Sequence, residues 1–132
     1  MNSAIIGLGS NIDAPQNILK AKTVLAEQFE IMKESVFVTT KSVGYPQQAN
    51  FINGAVLLKT SLDLSQVKKT LKIIESQLGR RPSPDKFGPR IIDLDIIVWN
   101  DQVIDQDFYY REYLRKSILE LLPDLEYNSK KL

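Results

Sequence analysis

Two aspartates interrupt the apolar segment "GPRIIDLDII", residues 88–97. Side chains alternate between the two faces of a strand, so Asp93 and Asp95 would share one face. The residues predicted on the opposite, apolar face are Ile92, Leu94, Ile96 and Val98. Two carboxylates that lie close together repel each other unless a proton or a cation intervenes. The spacing therefore indicates a cation site on one face of a buried strand.

The composition restricts which cation this can be. The 132 residues include no cysteine and no histidine, and the formal net charge is +1. Thiol nucleophiles, disulfides, imidazole bases and Cys/His zinc sites are therefore excluded, and no global charge indicates nucleic acid or membrane binding. A metal must be held by oxygen, and Mg²⁺ is commonly held by two carboxylates together with substrate phosphate oxygens.

Arginines flank the two aspartates in the sequence. Arg90 begins the same strand, while Arg80 and Arg81 open the preceding Pro-rich segment "RRPSPDKFGP". Guanidinium groups bind phosphate oxygens in a forked geometry, and phosphoryl transfer does not require a histidine. The pattern favours a site for a metal-bound polyphosphate. The plainer alternative is a solvated polar face on which the aspartates pair with arginines.

The rest of the chain predicts the elements that must position these residues. The order is β-α-β-β-α-β plus a tail, which indicates an α+β ferredoxin-like sandwich: a mostly antiparallel sheet with helices on one face. The opposite face would then be available as a site. The strands are predicted at residues 3–9, 31–40, 51–60 and 90–100, and the helices at 10–30, 61–78 and 117–125.

Particular residues predict where the two long helices begin and end. Asp13, with Gln16 three residues later, is expected to cap the first helix, and either Ser61 or Asp63 the second. Gly79 is expected to end the second helix. "GLGSN" lacks both the G-x-G-x-x-G and the G-K-[ST] patterns, so it is interpreted as a strand-to-helix turn rather than a nucleotide fingerprint.

"KFGPRIIDLDII" resembles the signature of the hydroxymethyl-dihydropterin pyrophosphokinases, enzymes of folate biosynthesis. That signature is a basic residue, Gly-Pro-Arg, and two spaced aspartates in an apolar run. "IGLGSNI", "FINGAV" and "ESQLGR" resemble the family's first strand and turn, its pterin strand and the end of its second helix. The similarity covers residues 1 to about 104. It implies that residues 1–132 form a single pterin pyrophosphokinase-like domain.

The resemblance implies an activity and its cofactors. Members move the terminal pyrophosphate of ATP to the hydroxymethyl group of 6-hydroxymethyl-7,8-dihydropterin and release AMP. ATP would be the co-substrate, and two Mg²⁺ ions would be held by Asp93 and Asp95. The expected partners are these small molecules, with no nucleic acid, membrane or obligate protein partner. No signal peptide or long apolar segment is visible in the sequence, which is typical of a cytoplasmic protein.

The resemblance also assigns roles to individual side chains. The catalytic set would be Arg80, Arg90, Asp93 and Asp95. The residues at the pterin would be Thr40, Ser42, Val43, Phe51, Asn53 and Phe87, the last as a shield when the 80–89 loop closes. The residues at the nucleotide would be Glu75, Arg80 and Arg90. Plainer alternatives are strand packing for Phe51, a satisfied backbone contact for Asn53, and a solvated helix position for Glu75.

The C-terminal third departs from the family pattern. The family usually carries a histidine there, followed by an arginine and an aromatic residue, whereas an ungapped continuation of this chain places Tyr113 at the histidine position. The segment up to "LPDL" is also several residues shorter. Arg111, Arg115 and Lys116 are candidates for the missing positive charge. Two alternatives therefore stay open: a diverged paralogue acting on another hydroxymethyl substrate, and a non-catalytic ferredoxin-like ligand-binding module.

Overall fold

The computed structural model describes residues 1–41, 49–80 and 91–132. Within them, six strands form one open antiparallel sheet that packs against four helices, which confirms the predicted α+β class. The strands are β1 (Asn2–Ser10), β2 (Glu30–Glu34), β3 (Val38–Thr40), β4 (Phe51–Thr60), β5 (Asp93–Trp99) and β6 (Gln102–Val103). The helices are α1 (Ala14–Gln28), α2 (Leu64–Gln77), α3 (Asp107–Tyr110) and α4 (Glu112–Leu121), followed by a 3₁₀ turn at Ser129–Lys131. In these same ranges, none of the helices has both the length and the apolar character needed to cross a bilayer.

The strand order across the sheet is β2-β4-β1-β5-β6, and β3 also pairs with β4. The second predicted strand, residues 31–40, is thus two short strands, β2 and β3, separated by residues 35–37. The Ser35 backbone N–H donates to the Ala55 carbonyl, and the Ser35 hydroxyl accepts from the Ala55 N–H, both at 2.9 Å. A side chain therefore replaces one backbone acceptor of the ladder, and the regular pairing is interrupted there.

Helices α1 and α2 cover one face of the sheet. The apolar residues predicted at helical spacing are the ones that pack against the sheet, so the predicted faces of both helices are confirmed. Buried or packed against this first core are Ile18, Ala21, Leu25 and Phe29 on or next to α1, and Leu64, Val67, Leu71, Ile74 and Leu78 on or next to α2. Burial of such side chains contributes about 1.5–3 kcal/mol each for the larger aliphatic ones.

Helix α4 covers part of the opposite face, so the prediction that the helices lie on one face is confirmed for α1 and α2 and is wrong for α4. It begins at Glu112, five positions before the predicted helix, and its apolar side packs on a second core cluster with Ile5 and Ala55 of the central strands. The Glu120 carboxylate accepts from the Val36 N–H at 3.0 Å, which ties α4 to the segment between β2 and β3. Among the described residues, the tail therefore covers part of this face and leaves a cleft beside it.

A β-bulge in β5 changes the predicted alternation. Ile5 pairs with Val98 and Ile6 with Ile96, so Ile97 is an extra residue between two ladder positions. An extra residue shifts the following side chains to the other face. Ile97 and Val98 consequently both belong to the second core. The prediction is confirmed for Ile92, Leu94 and Ile96, which lie in the first core, and is wrong for Val98.

The start of α2 allows a stability prediction. Asp63 accepts from the Gln66 N–H at 2.8 Å, and the Gln66 side chain accepts from the Asp63 N–H at 2.9 Å, a complete capping box. Asp63→Ala should lower the free energy of unfolding by about 1 kcal/mol because one of these bonds is lost. Urea unfolding followed by circular dichroism measures this change.

Asp13 provides the matched control for that substitution. It precedes α1 with φ 43° but forms no side-chain cap, so the predicted capping role is wrong. Asn tolerates this left-handed conformation, and Asp13→Asn should change the stability by less than about 0.5 kcal/mol. Equal losses in both variants would contradict the capping assignment of Asp63. The predicted stop at Gly79 is confirmed by its φ of 101°.

Candidate active site

A cleft of about 140 Å³ opens on the part of the sheet that α4 leaves uncovered. Its floor is β1, and its walls come from β3, β4, β5 and the start of α4. The residues that line it are Gly7, Leu8, Gly9, Thr40, Lys41, Phe51, Asn53, Gly54, Asp93, Asp95, Ile97, Asp107, Arg111, Tyr113, Leu114 and Ser117. The structure thus brings together five side chains predicted from the sequence, which are Thr40, Phe51, Asn53, Asp93 and Asp95.

Two glycines of β1 form the floor between the strands that carry polar groups. Gly9 pairs with Asn53 on one side and with Asp93 on the other, and Gly7 is placed likewise between Ala55 and Asp95. The strand continues through Ser10, so the interpretation of "GLGSN" as a turn is wrong for its first four residues. The sequence feature that indicates this arrangement is the two-residue spacing of Gly7 and Gly9, which puts both glycines on the same face of the sheet as the aspartates.

Asn53 has a fixed orientation beside this floor. Its Nδ2 donates to the Thr40 hydroxyl at 2.7 Å, and its Oδ1 lies 2.7 Å from the point that a Cβ on Gly9 would occupy. The Phe51 ring approaches the same point, with Cδ1 at 3.9 Å. The missing Cβ of Gly9 therefore leaves room for an amide carbonyl and an aromatic ring at one end of the cleft.

Asp95 is a strongly perturbed carboxyl group at the other end. Burial, and after it the nearby negative charges of Asp93 and Asp105, raise its pKa to about 7. Among the described residues, none forms a hydrogen bond or ion pair with the Asp95 side chain. Burial and the neighbouring carboxylates therefore disfavour the carboxylate form, and a bound cation would stabilise it.

Asp93 is joined to an ion-pair network that begins in α2. Arg80 Nη1 lies 2.6 Å from Asp93 Oδ1 and 2.6 Å from Glu75 Oε2. Glu75 is only 3% exposed and also accepts from the Leu94 N–H at 2.8 Å. The alternative of a solvated helix position for Glu75 is therefore wrong. Arg80, predicted at the phosphates, stands beside one of the two candidate metal ligands.

The start of the tail region forms the far wall of the cleft. Arg111 is held by the Asp107 carboxylate at 3.5 Å and by the Tyr113 hydroxyl at 3.2 Å. Of the three candidates for the missing positive charge, Arg111 lines the cleft. By contrast, Arg115 donates to the carbonyls of Phe108 and Tyr109, and Lys116 is an exposed partner of Glu112. Lys41 is a second cation in the lining, which the sequence pattern did not single out.

The remaining sequence-predicted residues cannot be placed in this way. Ser42, Val43, Arg81, Phe87 and Arg90 lie outside the described residues. In the part of the chain that is described, no three His, Cys, Asp or Glu side chains converge as a metal site. Two neighbouring carboxylates still suit Mg²⁺, because this ion keeps several waters and takes substrate phosphate oxygens as further ligands.

Comparison with known proteins gives consistent similarities. A family model described as 7,8-dihydro-6-hydroxymethylpterin-pyrophosphokinase matches residues 5–123. A relative from Aquifex aeolicus, named 2-amino-4-hydroxy-6-hydroxymethyldihydropteridine pyrophosphokinase, is 40% identical over 79% of this chain. Proteins of the same name from Bacillus subtilis and from Synechocystis are 38% and 31% identical over 80% and 93% of this chain. The matched regions make up 65% of the first two proteins and 68% of the third, so the chain spans about two thirds of their length.

Proposed function

This chain belongs to the 7,8-dihydro-6-hydroxymethylpterin-pyrophosphokinase family, and on that premise we propose that it transfers the β,γ-diphosphate of ATP to 6-hydroxymethyl-7,8-dihydropterin. The hydroxymethyl oxygen forms a bond to the β-phosphorus, the bond from that phosphorus to the α-phosphate oxygen breaks, and AMP leaves. The hydroxyl proton passes to solvent. The observation that carries the proposal is the pairing of Gly9 in β1 with Asn53 of β4 on one side and Asp93 of β5 on the other. These three residues form one row across the sheet.

The pterin is assigned to the end of the cleft near β4. Asn53 and Asp93 are separated by two strand spacings, about 10 Å between Cα atoms, which suits a flat bicyclic ring lying over Gly9. The fixed Asn53 amide offers a carbonyl oxygen to a donor on the ring edge, and Phe51 offers an aromatic surface for the ring. Thr40 supports the site by fixing the Asn53 amide. The contacts of Ser42, Val43 and Phe87 stay predictions.

The metal is assigned to Asp93 and Asp95, and its identity as Mg²⁺ and a count of two ions are part of the proposal. Bound Mg²⁺ would polarise the phosphoryl oxygens and neutralise the charge that develops on them. The protein's own contribution is to keep both carboxylates on one face, and the bulge at Ile97 comes only after this pair. The raised pKa of Asp95 supports the assignment, since burial and the neighbouring carboxylates disfavour its charged form and a bound cation would favour it.

The nucleotide phosphates are assigned to the cations around the aspartates. Arg80 stands at Asp93, and Arg111 stands on the opposite wall, two residues before Tyr113, which an ungapped continuation places at the family's histidine position. Both guanidinium groups are only partly exposed, with 25% and 37% of their side-chain surface accessible, so they would bind phosphate oxygens in a partly desolvated setting. Arg90 stays a predicted third contact.

Both proposed substrates are small molecules. The formal charge of +1 and the local placement of cations at the cleft agree with a small polyanion rather than with a nucleic acid. A cytoplasmic location and the absence of an obligate protein partner stay predictions from the sequence.

A product assay tests the proposed activity. The protein, incubated with ATP, Mg²⁺ and 6-hydroxymethyl-7,8-dihydropterin, should release AMP in a 1:1 ratio to pterin diphosphate, measured by anion-exchange chromatography. A 6-methyl-7,8-dihydropterin control lacks the attacking hydroxyl and should yield no AMP. Formation of ADP would indicate transfer of one phosphoryl group instead. Binding of the pterin with no nucleotide turnover would favour the non-catalytic module.

A further inference from the structure

Glu75 is the most firmly held charged group next to the cleft. Its carboxylate accepts from the Leu94 N–H at 2.8 Å and from Arg80 at 2.6 Å through Oε2, while Lys72 Nζ lies 3.4 Å from Oε1. The Leu94 N–H belongs to β5, between the two aspartates. Glu75 is therefore fixed to the strand that carries the proposed metal ligands, and burial at 3% exposure strengthens these bonds.

Arg80 is shared unequally between two carboxylates. Its Nη1 contacts both Glu75 and Asp93, but Asp93 is 37% exposed on its side chain and Glu75 only 4%. Within the described part of the chain, Nε and Nη2 of Arg80 form no hydrogen bond. If a cation binds Asp93, the guanidinium loses the more exposed of its two partners and keeps the buried one. Its remaining N–H groups, which have no acceptor among the described residues, are then left for oxygen atoms of a ligand next to Asp93.

We propose that Glu75 is a positioning residue that holds Arg80 at the cleft when Asp93 engages a metal ion, so that the free N–H groups of Arg80 bind nucleotide phosphate. This inference rests on the proposed function for the identity of the polyphosphate. This positioning role replaces the direct contact with the nucleotide that the family resemblance implies for Glu75. The Glu75 carboxylate is buried and already accepts from three donors, so it offers no donor to a polyanion. Glu75 acts only through Arg80.

A double-mutant cycle separates this role from a purely structural one. Glu75→Gln can keep an oxygen at the Oε2 position, which retains the acceptor for Leu94 but removes the charge that tethers Arg80. We expect Glu75→Gln to weaken binding of α,β-methylene-ATP with Mg²⁺ about tenfold and Arg80→Ala about thirtyfold, with no further loss in the double variant. Isothermal titration calorimetry without pterin gives these affinities independently of turnover.

The controls separate the possible failures. Glu34→Gln removes the same kind of charge from an exposed pair with Lys22 and should leave nucleotide affinity within about twofold. Additive losses from Glu75→Gln and Arg80→Ala would overturn the positioning role, as would wild-type affinity in Glu75→Gln. Nucleotide binding without AMP formation by the wild-type protein would overturn the proposed function and leave the cycle interpretable. Absence of any nucleotide binding by the wild-type protein would overturn both.

Discussion

Asp95→Asn should abolish Mg²⁺-dependent AMP formation, by at least about 10³-fold, and at the same time stabilise the metal-free protein above neutral pH. The loss of activity follows from the proposed role of Asp95, since an amide cannot provide the negative charge that holds the cation. The gain in stability follows from the raised pKa of the wild-type group. Burial beside Asp93 makes the Asp95 carboxylate unfavourable in the folded chain.

The sign of the pH dependence follows from proton linkage. The pKa of Asp95 is about 7 in the folded protein against an ordinary value of 3.8, so the folded state binds more protons between these values. The free energy of unfolding therefore falls as the pH rises from about 4 to about 7, by a total on the order of 2–4 kcal/mol. Asp95→Asn lacks this titration, and its advantage over the wild type should be largest at pH 8 and absent near pH 4.

Urea unfolding at several pH values, with EDTA and then with Mg²⁺, measures these differences. Addition of Mg²⁺ at pH 8 should stabilise the wild type and leave Asp95→Asn unchanged, because a ligand stabilises only the state that binds it. Asp101→Asn, at an exposed turn, is the matched control and should stay within about 0.5 kcal/mol of the wild type. AMP formation by Asp95→Asn at the wild-type rate would contradict the metal assignment.

The parts of the site that local periodicity determines could be predicted from the sequence. Asp93 and Asp95 share a face because they are two residues apart in a regular part of β5, and the same rule applies to Phe51 and Asn53 in β4. The buried faces of α1 and α2 likewise follow from a period of 3.6 residues. These features depend on one element at a time, so no knowledge of neighbouring elements was needed.

Features that depend on contacts between elements could not be predicted in this way. The bulge at Ile97 moves Val98 to the second core, and neither residue type indicates an irregular ladder. Glutamate is typical of exposed helix positions. In this protein, however, the Glu75 carboxylate accepts from a backbone N–H of β5 and pairs with the Arg80 guanidinium, and these partners make its burial favourable. The placement of α4 depends on the bond from Val36 to Glu120, across more than eighty residues of sequence.

The glycine floor gives the second prediction with a large expected effect. A Cβ on Gly9 would lie 2.7 Å from Asn53 Oδ1, closer than two such atoms can approach, so Gly9→Ala must displace the Asn53 amide and disturb its bond to Thr40. Overpacking of this kind costs about 1–3 kcal/mol. Because the pterin needs Asn53 in its original orientation, this cost falls on the complex and should lower pterin affinity by about 5- to 150-fold. Calorimetric titration with 6-hydroxymethyl-7,8-dihydropterin measures the loss directly.

Gly7→Ala is the internal comparison, because the same substitution two residues earlier in β1 meets ordinary space. Its Cβ would lie 3.4–3.6 Å from Ile97 and Leu114, which is normal van der Waals contact, and the affinity should change by less than about threefold. If Gly9→Ala lowers the stability as well, Asn53→Ala should still reproduce the loss of affinity without overpacking the floor. Unchanged pterin affinity in both Gly9→Ala and Asn53→Ala would contradict the assignment of the pterin to this row. The contrast between Gly7 and Gly9 therefore tests which row of the sheet recognises the substrate, since both glycines share one strand, one face and one neighbouring pair of strands.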